Sequence, residues 1–425
     1  MAKTFAVKTL GCKVNQYESQ ALREKLLGLG FSESEGNLAD VYVVNTCAVT
    51  VKADRESFDT LRQLNRINPQ AKIFVTGCSA QNNPDILKNM EGVSRVLKNN
   101  EKESLPDFVS AIDGAVPATK REPSLITQFR GHTRAFLKIQ DGCNNCCSYC
   151  IIPKLRGNSR SRPMHSIVEE AKKLAGNGYK EIVLCGICLG SYGKDIRINE
   201  GLARVIERLE KIEGLLRIRL SSIEASEVSA ELIDLMAGSG KLCRHLHIPL
   251  QSADEKILAL MNRKFTPAGY AKLIFELRSR LPEIGITTDV MVGFPGEQEV
   301  NFVNTLKFLE EIKPARMHIF PFSPRKNTPA FDFQETVKPH QMKERISRMR
   351  VLAKKLSLDF YSLSLGKELN VLMESAPCPK TGFLKGYSSN YIKIYLSQSQ
   401  GIVNTIVSVK AVSPFRDGIL ADLLQ

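Results

Sequence analysis

The sequence predicts an α/β protein of three domains. We expect an amino-terminal parallel-sheet domain, then a partial (β/α)6 barrel resembling a TIM barrel, and a small carboxyl-terminal antiparallel β-barrel. Short apolar strands alternate with helical patterns as far as residue 362, which is typical of parallel sheets covered by helices. A stretch with two prolines near residue 120 divides this series, and beyond residue 363 short strands follow one another without helices. We therefore place the domains at residues 1–120, 130–362 and 363–425.

The composition limits the class of protein. The chain of 425 residues is 43% hydrophobic and 24% charged, which is ordinary for a globular protein. It contains no run of roughly 18 apolar residues, and no signal-peptide pattern follows Met1, so we expect a cytoplasmic protein that does not enter a membrane. Eleven cysteines in such a chain favour metal or catalytic use over disulfides.

The charge is strongly positive and unevenly distributed. The net charge is +14, yet residues 1–120 carry 15 Lys and Arg against 14 Asp and Glu. A basic excess of this size indicates a polyanionic partner, such as a nucleic acid. The later two thirds of the chain are expected to contact it.

Three cysteines of the first domain occupy equivalent positions. Cys12, Cys47 and Cys78 each follow one predicted strand, at residues 5–10, 41–46 and 73–76. Parallel sheets bind ligands beyond the carboxyl ends of their strands, so the three thiols are expected to converge. Three thiolates without a fourth predict an iron–sulfur cluster with one open iron. The alternative is that each cysteine is only a small residue suited to a tight turn.

A second set of cysteines follows the first strand of the second domain. The run DGCNNCCSYC, residues 141–150, places Cys143, Cys147 and Cys150 in a C-x3-C-x2-C arrangement. Three thiolates on one short loop can hold one 4Fe–4S cluster and leave one iron free for chemistry. Zinc sites more often pair two C-x2-C knuckles across an intervening stretch. This spacing resembles that of the radical S-adenosylmethionine enzymes, and Tyr149 fits the same pattern.

Longer motifs make the resemblance more specific. They are TLGCKVNQYES at 9–19, VNTCAVT at 44–50, VTGCSAQ at 75–81, KIQDGC at 138–143, IIP at 151–153 and RGNSRSR at 156–162. Together they resemble the methylthiotransferase family over essentially the whole chain. CKVNQYES with SSIE at 221–224 is most similar to the branch that acts on threonylcarbamoyladenosine in tRNA, and the isopentenyladenosine branch is the near alternative.

The resemblance implies two 4Fe–4S clusters and S-adenosylmethionine as cofactors. Cys143, Cys147 and Cys150 would hold the cluster that cleaves S-adenosylmethionine, and Cys12, Cys47 and Cys78 would hold the cluster that carries the sulfur. Further residues at barrel strand ends would face the cofactor, although each also suits a turn or a cap: Tyr149, Gly186, Ser222, Glu224, Asp289 and Gly293.

Three further cysteines depart from the family pattern. Cys146 stands where the family commonly has phenylalanine, and Cys185 with Cys188 replaces a threonine and an asparagine. Such thiols could shift the ligand set or become oxidised, and inert packing is the alternative. Cys146 also forms C-x2-C with Cys143, so the loop offers a second possible set of cluster ligands.

Two regions predict contacts with RNA. A loop without acidic residues offers Lys154, Arg156, Arg160 and Arg162 to phosphates. The last domain resembles the TRAM module, an RNA-binding β-barrel, and its Tyr387 and Tyr391 are candidates for stacking on unpaired bases. Some of these rings could instead belong to the barrel core.

The sequence thus favours an enzyme that inserts sulfur into a modified adenosine at position 37, beside the tRNA anticodon, and delivers a methylthio group. By resemblance its partners are the anticodon stem-loop and an electron donor such as flavodoxin or ferredoxin, and we expect a monomer. The alternatives are methylthiolation of isopentenyladenosine, methylthiolation of a ribosomal protein, and an RNA-binding protein whose clusters sense redox state.

Overall fold

The structure, a computed structural model, describes residues 3–34, 38–111, 125–199, 201–397 and 401–424. The predicted architecture is confirmed: a parallel sheet, an open barrel of strand–helix units and a small closed β-barrel follow one another along the chain. None of the helices in these ranges combines the length and apolar character needed to cross a bilayer.

The first domain is a five-stranded parallel sheet with strand order β2-β1-β3-β4-β5. On its central strand Tyr42 and Val44 enter one apolar core, while Val41 and Val43 enter the other, so both faces are covered. This is why the strand VYVVNT is apolar along most of its length. The elements are β1 (Thr4–Thr9), α1 (Lys13–Gly28), β2 (Ser32–Glu33), β3 (Val41–Thr46), α2 (Val51–Ile67), β4 (Lys72–Gly77), α3 (Cys78–Asn82), α4 (Pro84–Lys88), β5 (Val93–Val96) and α5 (Leu105–Ser110).

The second domain contains six strands that form an incomplete parallel barrel. Two three-stranded sheets, β6-β9-β10 and β11-β12-β13, meet through isolated bridges such as Ser222 with His247. Its elements are β6 (Ala135–Lys138), β7 (Gln140–Asp141), α6 (Ile152–Arg156), β8 (Arg160–Ser161), α7 (Met164–Gly176), β9 (Glu181–Cys185), α8 (Gly201–Glu210), β10 (Arg217–Leu220), α9 (Ala230–Gly238), β11 (His245–His247), α10 (Glu255–Leu260), α11 (Pro267–Arg280), β12 (Gly285–Val292), α12 (Glu299–Ile312), β13 (Arg316–Pro321) and α13 (Pro339–Ser362).

The third domain is a closed barrel with strand order β14-β15-β16-β18-β17. Its strands are β14 (Glu368–Met373), β15 (Leu384–Ser388), β16 (Lys393–Leu396), β17 (Ile406–Phe415) and β18 (Gly418–Leu423). The prediction of a wholly antiparallel barrel is wrong at one place, because β16 and β18 pair in parallel. Closure places these two strands side by side although they do not adjoin in sequence.

The third domain covers the amino end of the open barrel. Arg217 and Arg219, at the start of β10, donate hydrogen bonds to main-chain oxygens of the small barrel, with Arg219 Nη1 2.9 Å from Ser389 O. The Tyr391 ring packs on His245, the first residue of β11, with ring centroids 4.6 Å apart. The small barrel therefore lies at the end of the barrel opposite to the mouth.

The first domain packs against the open barrel through α1. Val14 and Tyr17 of this helix are buried in the barrel core, beside residues of β6 such as Leu137. The segment 100–130, predicted to be a linker, contains helix α5 in its described part, and residues 112–124 lie outside the described residues.

Candidate active site

The three cysteines of the first domain converge at the carboxyl edge of its sheet. Cys47 and Cys78 are buried and Cys12 is exposed, and the three thiols interact electrostatically with one another. Burial raises the pKa of Cys47 to about 11. Gly11, with φ +94°, brings the chain so close that a Cβ there would lie 2.7 Å from Cys47 Sγ. The tight turn before Cys12 therefore requires glycine.

The cysteine loop of residues 141–150 lies at the mouth of the open barrel. The Cys150 amide donates to Cys147 O, and the Asn145 amide points at Cys143 Sγ at 3.4 Å. Burial raises the pKa of Cys150 to about 12. Such thiols become thiolates readily only when a metal replaces the proton, and this chemistry fits a cluster at this loop.

The thiols are not arranged as a compact metal site. Among the described residues, the one group of three metal-binding side chains within 4.8 Å of each other contains no cysteine. Tetrahedral zinc with Zn–S bonds of about 2.3 Å would bring its sulfurs to about 3.8 Å from each other. The three sulfur atoms of each cysteine set are therefore not all at the spacing of a tetrahedral zinc site.

A buried polar network joins the two sets of cysteines. Arg156, at the end of α6 and six residues beyond Cys150, donates to Glu18 at 3.0 Å, to Asp141 at 2.9 Å and to Asn15. Its positive charge also favours the thiolate of Cys78. Glu18 is further held by Lys102 and Lys138. Cys78 packs on Ile151 and Leu155, so the two thiol sets belong to one continuous site.

The candidate cofactor residues lie around the mouth, and several have protein partners. Tyr149 packs on Phe294, and a Cβ at Gly186 would lie 2.8 Å from Gln140 Oε1. Glu224 forms a bidentate ion pair with Arg263. The Gly293 amide donates to Glu297, and Ser222 pairs through its backbone with His247. Asp289 lies between two histidines inside the barrel.

Sequence reasoning missed Arg263 and Gln140. Arg263 Nη1 lies 3.7 Å from Cys147 Sγ while it binds Glu224, so it links the cysteine loop to the end of β10. Gln140 is fully buried, donates to Gly142 O and accepts from the Cys188 amide. Arg263 stands in a run of basic and polar residues without distinguishing signal. Gln140 precedes the cysteine loop directly, and that position was the available clue.

The three additional cysteines differ in their surroundings. Cys146 is exposed, whereas Cys185 is buried inside the barrel. Cys188 is hydrogen-bonded to Cys143, and this bond lowers the pKa of Cys143 to about 7. Cys188 also lies 3.4 Å from Glu227 Oε1.

The predicted RNA contacts need correction. Arg156 is 4% exposed and bound to three side chains, so the prediction that it contacts phosphates is wrong. The Arg162 guanidinium donates hydrogen bonds to the Glu170 carboxylate and to the Tyr17 hydroxyl. Of the four basic residues in this loop, only Lys154 and Arg160 are exposed.

The two tyrosines pack where the third domain meets the open barrel. Tyr387 and Tyr391 stack on each other at 5.0 Å, and Arg134 lies over both rings. Arg219 and His245 contact the Tyr391 ring as well. These contacts indicate a role in domain docking, and stacking of the two rings on bases stays a prediction.

Comparison with known sequences agrees with this geometry. The sequence profile described as "Radical SAM superfamily" matches residues 137–309, and that of "Uncharacterized protein family UPF0004" matches residues 4–98. The chain is 36% identical over 432 residues to the threonylcarbamoyladenosine tRNA methylthiotransferase MtaB of Bacillus subtilis, covering 98% of this chain and 96% of that protein. The protein of the same name from Thermotoga maritima is 36% identical, covering 100% and 98%. The tRNA-2-methylthio-N(6)-dimethylallyladenosine synthase of Acetivibrio thermocellus is 32% identical, covering 96% and 86%.

Solved structures share the fold. The radical S-adenosylmethionine methyltransferase TsrM from Kitasatospora setae superposes with a TM-score of 0.57 at 14% identity, covering 78% of this chain and 77% of that one. An open α/β barrel with a C-x3-C-x2-C loop at its mouth defines a radical S-adenosylmethionine enzyme, a class that uses a 4Fe–4S cluster with that cofactor. Within this class, the chain belongs to the radical S-adenosylmethionine methylthiotransferase family.

Proposed function

We propose that this protein methylthiolates tRNA, converting N6-threonylcarbamoyladenosine at position 37 into its 2-methylthio derivative. The observation that carries the proposal is the pair of thiol trios joined by one buried network and by the packing of Cys78 on Ile151 and Leu155. The relatives of nearly equal length that are named for this substrate support the choice of RNA and of base.

The ligand assignment follows from the two trios. Cys143, Cys147 and Cys150 hold one 4Fe–4S cluster, and Cys12, Cys47 and Cys78 hold a second. When bound, the first cluster with S-adenosylmethionine supplies a radical that activates the base, and the second supplies the sulfur. Two half-reactions, sulfur insertion and methyl transfer, explain why one site contains two sets of ligands.

The protein side chains position these groups and exclude water. Arg263 fixes Glu224 beside Cys147, and the buried contacts of Arg156 hold the two domains at one separation. Tyr149, Phe294 and Met291 provide an apolar wall next to the cysteine loop. An unactivated ring carbon reacts only when it is held close to both groups, so this rigid interface serves catalysis by orientation.

The remaining partners belong to the same proposal. Lys154 and Arg160 are exposed beside the site and carry no acidic neighbour in their loop, so they suit the phosphates of an anticodon stem-loop. A reduced flavodoxin or ferredoxin supplies the electron. The enzyme acts as a monomer in the cytoplasm, where its tRNA substrate is.

The first experiment measures cofactor cleavage. Anaerobically reconstituted protein with reductant is expected to form 5′-deoxyadenosine from S-adenosylmethionine, and complete absence of this product would contradict the enzyme assignment. Cys12→Ala should retain cleavage but lose thiolation, whereas Cys147→Ala should lose both. Equal loss of both activities in the two variants would contradict the division of labour.

A second experiment identifies the substrate. In a strain that lacks this gene, mass spectrometry of tRNA nucleosides should show the unmethylthiolated precursor. Accumulated threonylcarbamoyladenosine supports the proposal. Accumulated isopentenyladenosine would instead support the reaction named for the 32% identical relatives. Unchanged tRNA would favour a ribosomal-protein substrate or a redox-sensing role.

A further inference from the structure

Alternate residues of β12 face the interior of the open barrel. Ile286, Val290 and Val292 are buried in the core that lies under the surrounding helices. Side chains alternate along a strand, so Thr287, Asp289 and Met291 face inward. Met291 packs in the same apolar group as Tyr149 of the cysteine loop. Asp289 is two residues before Met291, so it is the next inward-facing side chain below the cysteine loop.

Two histidines bind the Asp289 carboxylate from neighbouring strands. His247 Nε2 lies 3.2 Å from Oδ2, and His318 Nδ1 lies 3.3 Å from Oδ1. An ionised carboxylate only accepts hydrogen bonds, so both imidazoles donate to it. Burial acts to raise the pKa of Asp289, but these two hydrogen bonds lower it well below its ordinary value. Thr287 Oγ1 lies 2.9 Å from His247 Nδ1 and continues the network.

The cluster retains unused hydrogen-bonding capacity. His318 keeps 53% of its side chain exposed although its strand is part of the barrel. Below it, His245 is 4% exposed, and its Nδ1 has no hydrogen-bond partner among the described residues. Buried polar atoms without partners are rare, and this ring nitrogen can bind a water or a polar ligand group.

Lys13 adds a positive charge to the same interior. It directly follows Cys12 and begins α1. Lys13 is half-buried, and the next residue, Val14, packs in the core of the open barrel, so the start of α1 lies against the barrel interior. Within the described ranges no carboxylate pairs with Lys13. The barrel interior thus forms a polar chamber with a cation at the start of α1 and a hydrogen-bonded carboxylate on β12.

We propose that Lys13, His247, Asp289 and His318 form the subsite that selects the acidic side chain on the N6 atom of the target adenosine. This inference rests on the proposed function and deepens it. Lys13 and His318 bind the carboxylate of the side chain, and Asp289, oriented by His247, accepts from its hydroxyl or urea N–H.

The chemistry of the chamber explains the choice of side chain. A threonylcarbamoyl group carries a carboxylate, a hydroxyl and N–H donors, so it can satisfy a cation and an acceptor together. An isopentenyl group carries none of these, and it would leave the chamber's polar groups desolvated and unpaired. Sites built for hydrogen bonding reject analogues that lack the matching groups far more strongly than apolar pockets do.

The test compares RNAs that differ only in this side chain. The full-length enzyme with both clusters is given anticodon stem-loops that carry threonylcarbamoyladenosine, its methyl ester or isopentenyladenosine, and kcat and KM of methylthiolation are measured. Lys13→Gln and His318→Gln are the variants, and Lys13→Arg is the conservative one. His340→Gln, on the exposed face of α13, is the matched control. Each rate is divided by the 5′-deoxyadenosine that the same preparation forms without RNA, so that a loss of cluster or cofactor cancels.

Lys13→Gln and His318→Gln should lower kcat/KM for the acidic RNA by about 10- to 100-fold, mainly through KM, because each removes a charge-assisted hydrogen bond. They should change the methyl-ester reaction little, and Lys13→Arg should keep the preference for the acid.

Equal losses on both RNAs would overturn the inference and leave the proposed function intact. Stoichiometric zinc binding that Asp289→Asn abolishes would also overturn it, since the cluster would then be a metal site. Wild-type preference for the isopentenyl RNA would contradict the proposed function itself.

Discussion

The Arg156 guanidinium, in the helix that follows the cysteine loop, lies 3.0 Å from the carboxylate of Glu18 in the first helix of the chain. This contact crosses the boundary between the first domain and the open barrel. Both residues are buried, and the charge of Arg156 also favours the thiolate of Cys78. The ion pair therefore sets the separation between the two groups of cysteines.

The first prediction concerns this arginine. Arg156→Met should lower the free energy of unfolding by about 3 kcal/mol, because it removes the buried guanidinium that pairs with Glu18 and Asp141. Urea denaturation checks the loss, and iron content should fall in the same variant. Arg160→Met, at an exposed position of the same loop, should change the unfolding energy little. Equal stability of the two variants would contradict a structural role for Arg156.

The second prediction is a pH dependence. Burial acts to raise the pKa of Glu18, but Lys102, Lys138 and Arg156 together hold it well below its ordinary value. A carboxyl with a depressed folded pKa stabilises the protein above its unfolded pKa of about 4.3 and loses this contribution as the pH falls. The wild type should therefore be more stable than Glu18→Gln between pH 5 and pH 8.

Urea unfolding of the cluster-free proteins at several pH values measures this difference. It should be nearly constant from pH 8 to about pH 5 and should shrink below about pH 4. Burial also lowers the pKa of Lys102, and the charge of Glu18 opposes this change. A difference between wild type and variant that grows on acidification would show that Glu18 is not a stabilising carboxylate.

The arrangement of strands could be predicted because apolar periodicity is local. The runs around Val43 and Val75 are mostly apolar since helices cover both faces of the sheet, and the cysteines follow strand ends at regular separations. Edge strands such as Ser32–Glu33 and Val93–Val96 were missed because they are short and partly exposed. They carry no apolar pattern that would distinguish them from loops.

The partners of charged side chains could not be predicted from the sequence. Arg156 stands in a basic run that is typical of phosphate binding, but its acceptor Glu18 is 138 positions away. Tyr391 resembles a base-stacking residue in a barrel strand, but domain packing places Arg219 over its ring. In both cases a surface of another domain decides the role. Periodicity within one element contains no information about that surface.

The third prediction concerns RNA binding. Lys154 and Arg160 remain exposed after the correction for Arg156, so we expect the phosphate contacts of this loop at these two residues. Each lost phosphate contact should reduce the slope of log affinity against log salt by about 1. The Lys154→Ala, Arg160→Ala double variant should therefore bind tRNA more weakly at low salt and show a slope smaller by about 2. An unchanged slope, measured by filter binding from low to moderate salt, would place the RNA elsewhere.

The last prediction separates domain docking from base stacking at Tyr391. Its ring lies on Tyr387 at 5.0 Å and on His245 at 4.6 Å, with Arg219 4.6 Å above it. Tyr391→Ala should lower the free energy of unfolding by about 2 kcal/mol or more, because it removes a packed ring and leaves two arginines less well covered. Phe383→Ala is the comparison, because Phe383 contacts only the Phe415 ring, also in the third domain, among the described aromatic pairs. Limited proteolysis should release the third domain more readily from the Tyr391 variant. If Tyr391→Ala instead keeps wild-type stability and protease resistance but loses tRNA affinity, the ring binds a base, and the docking role is wrong.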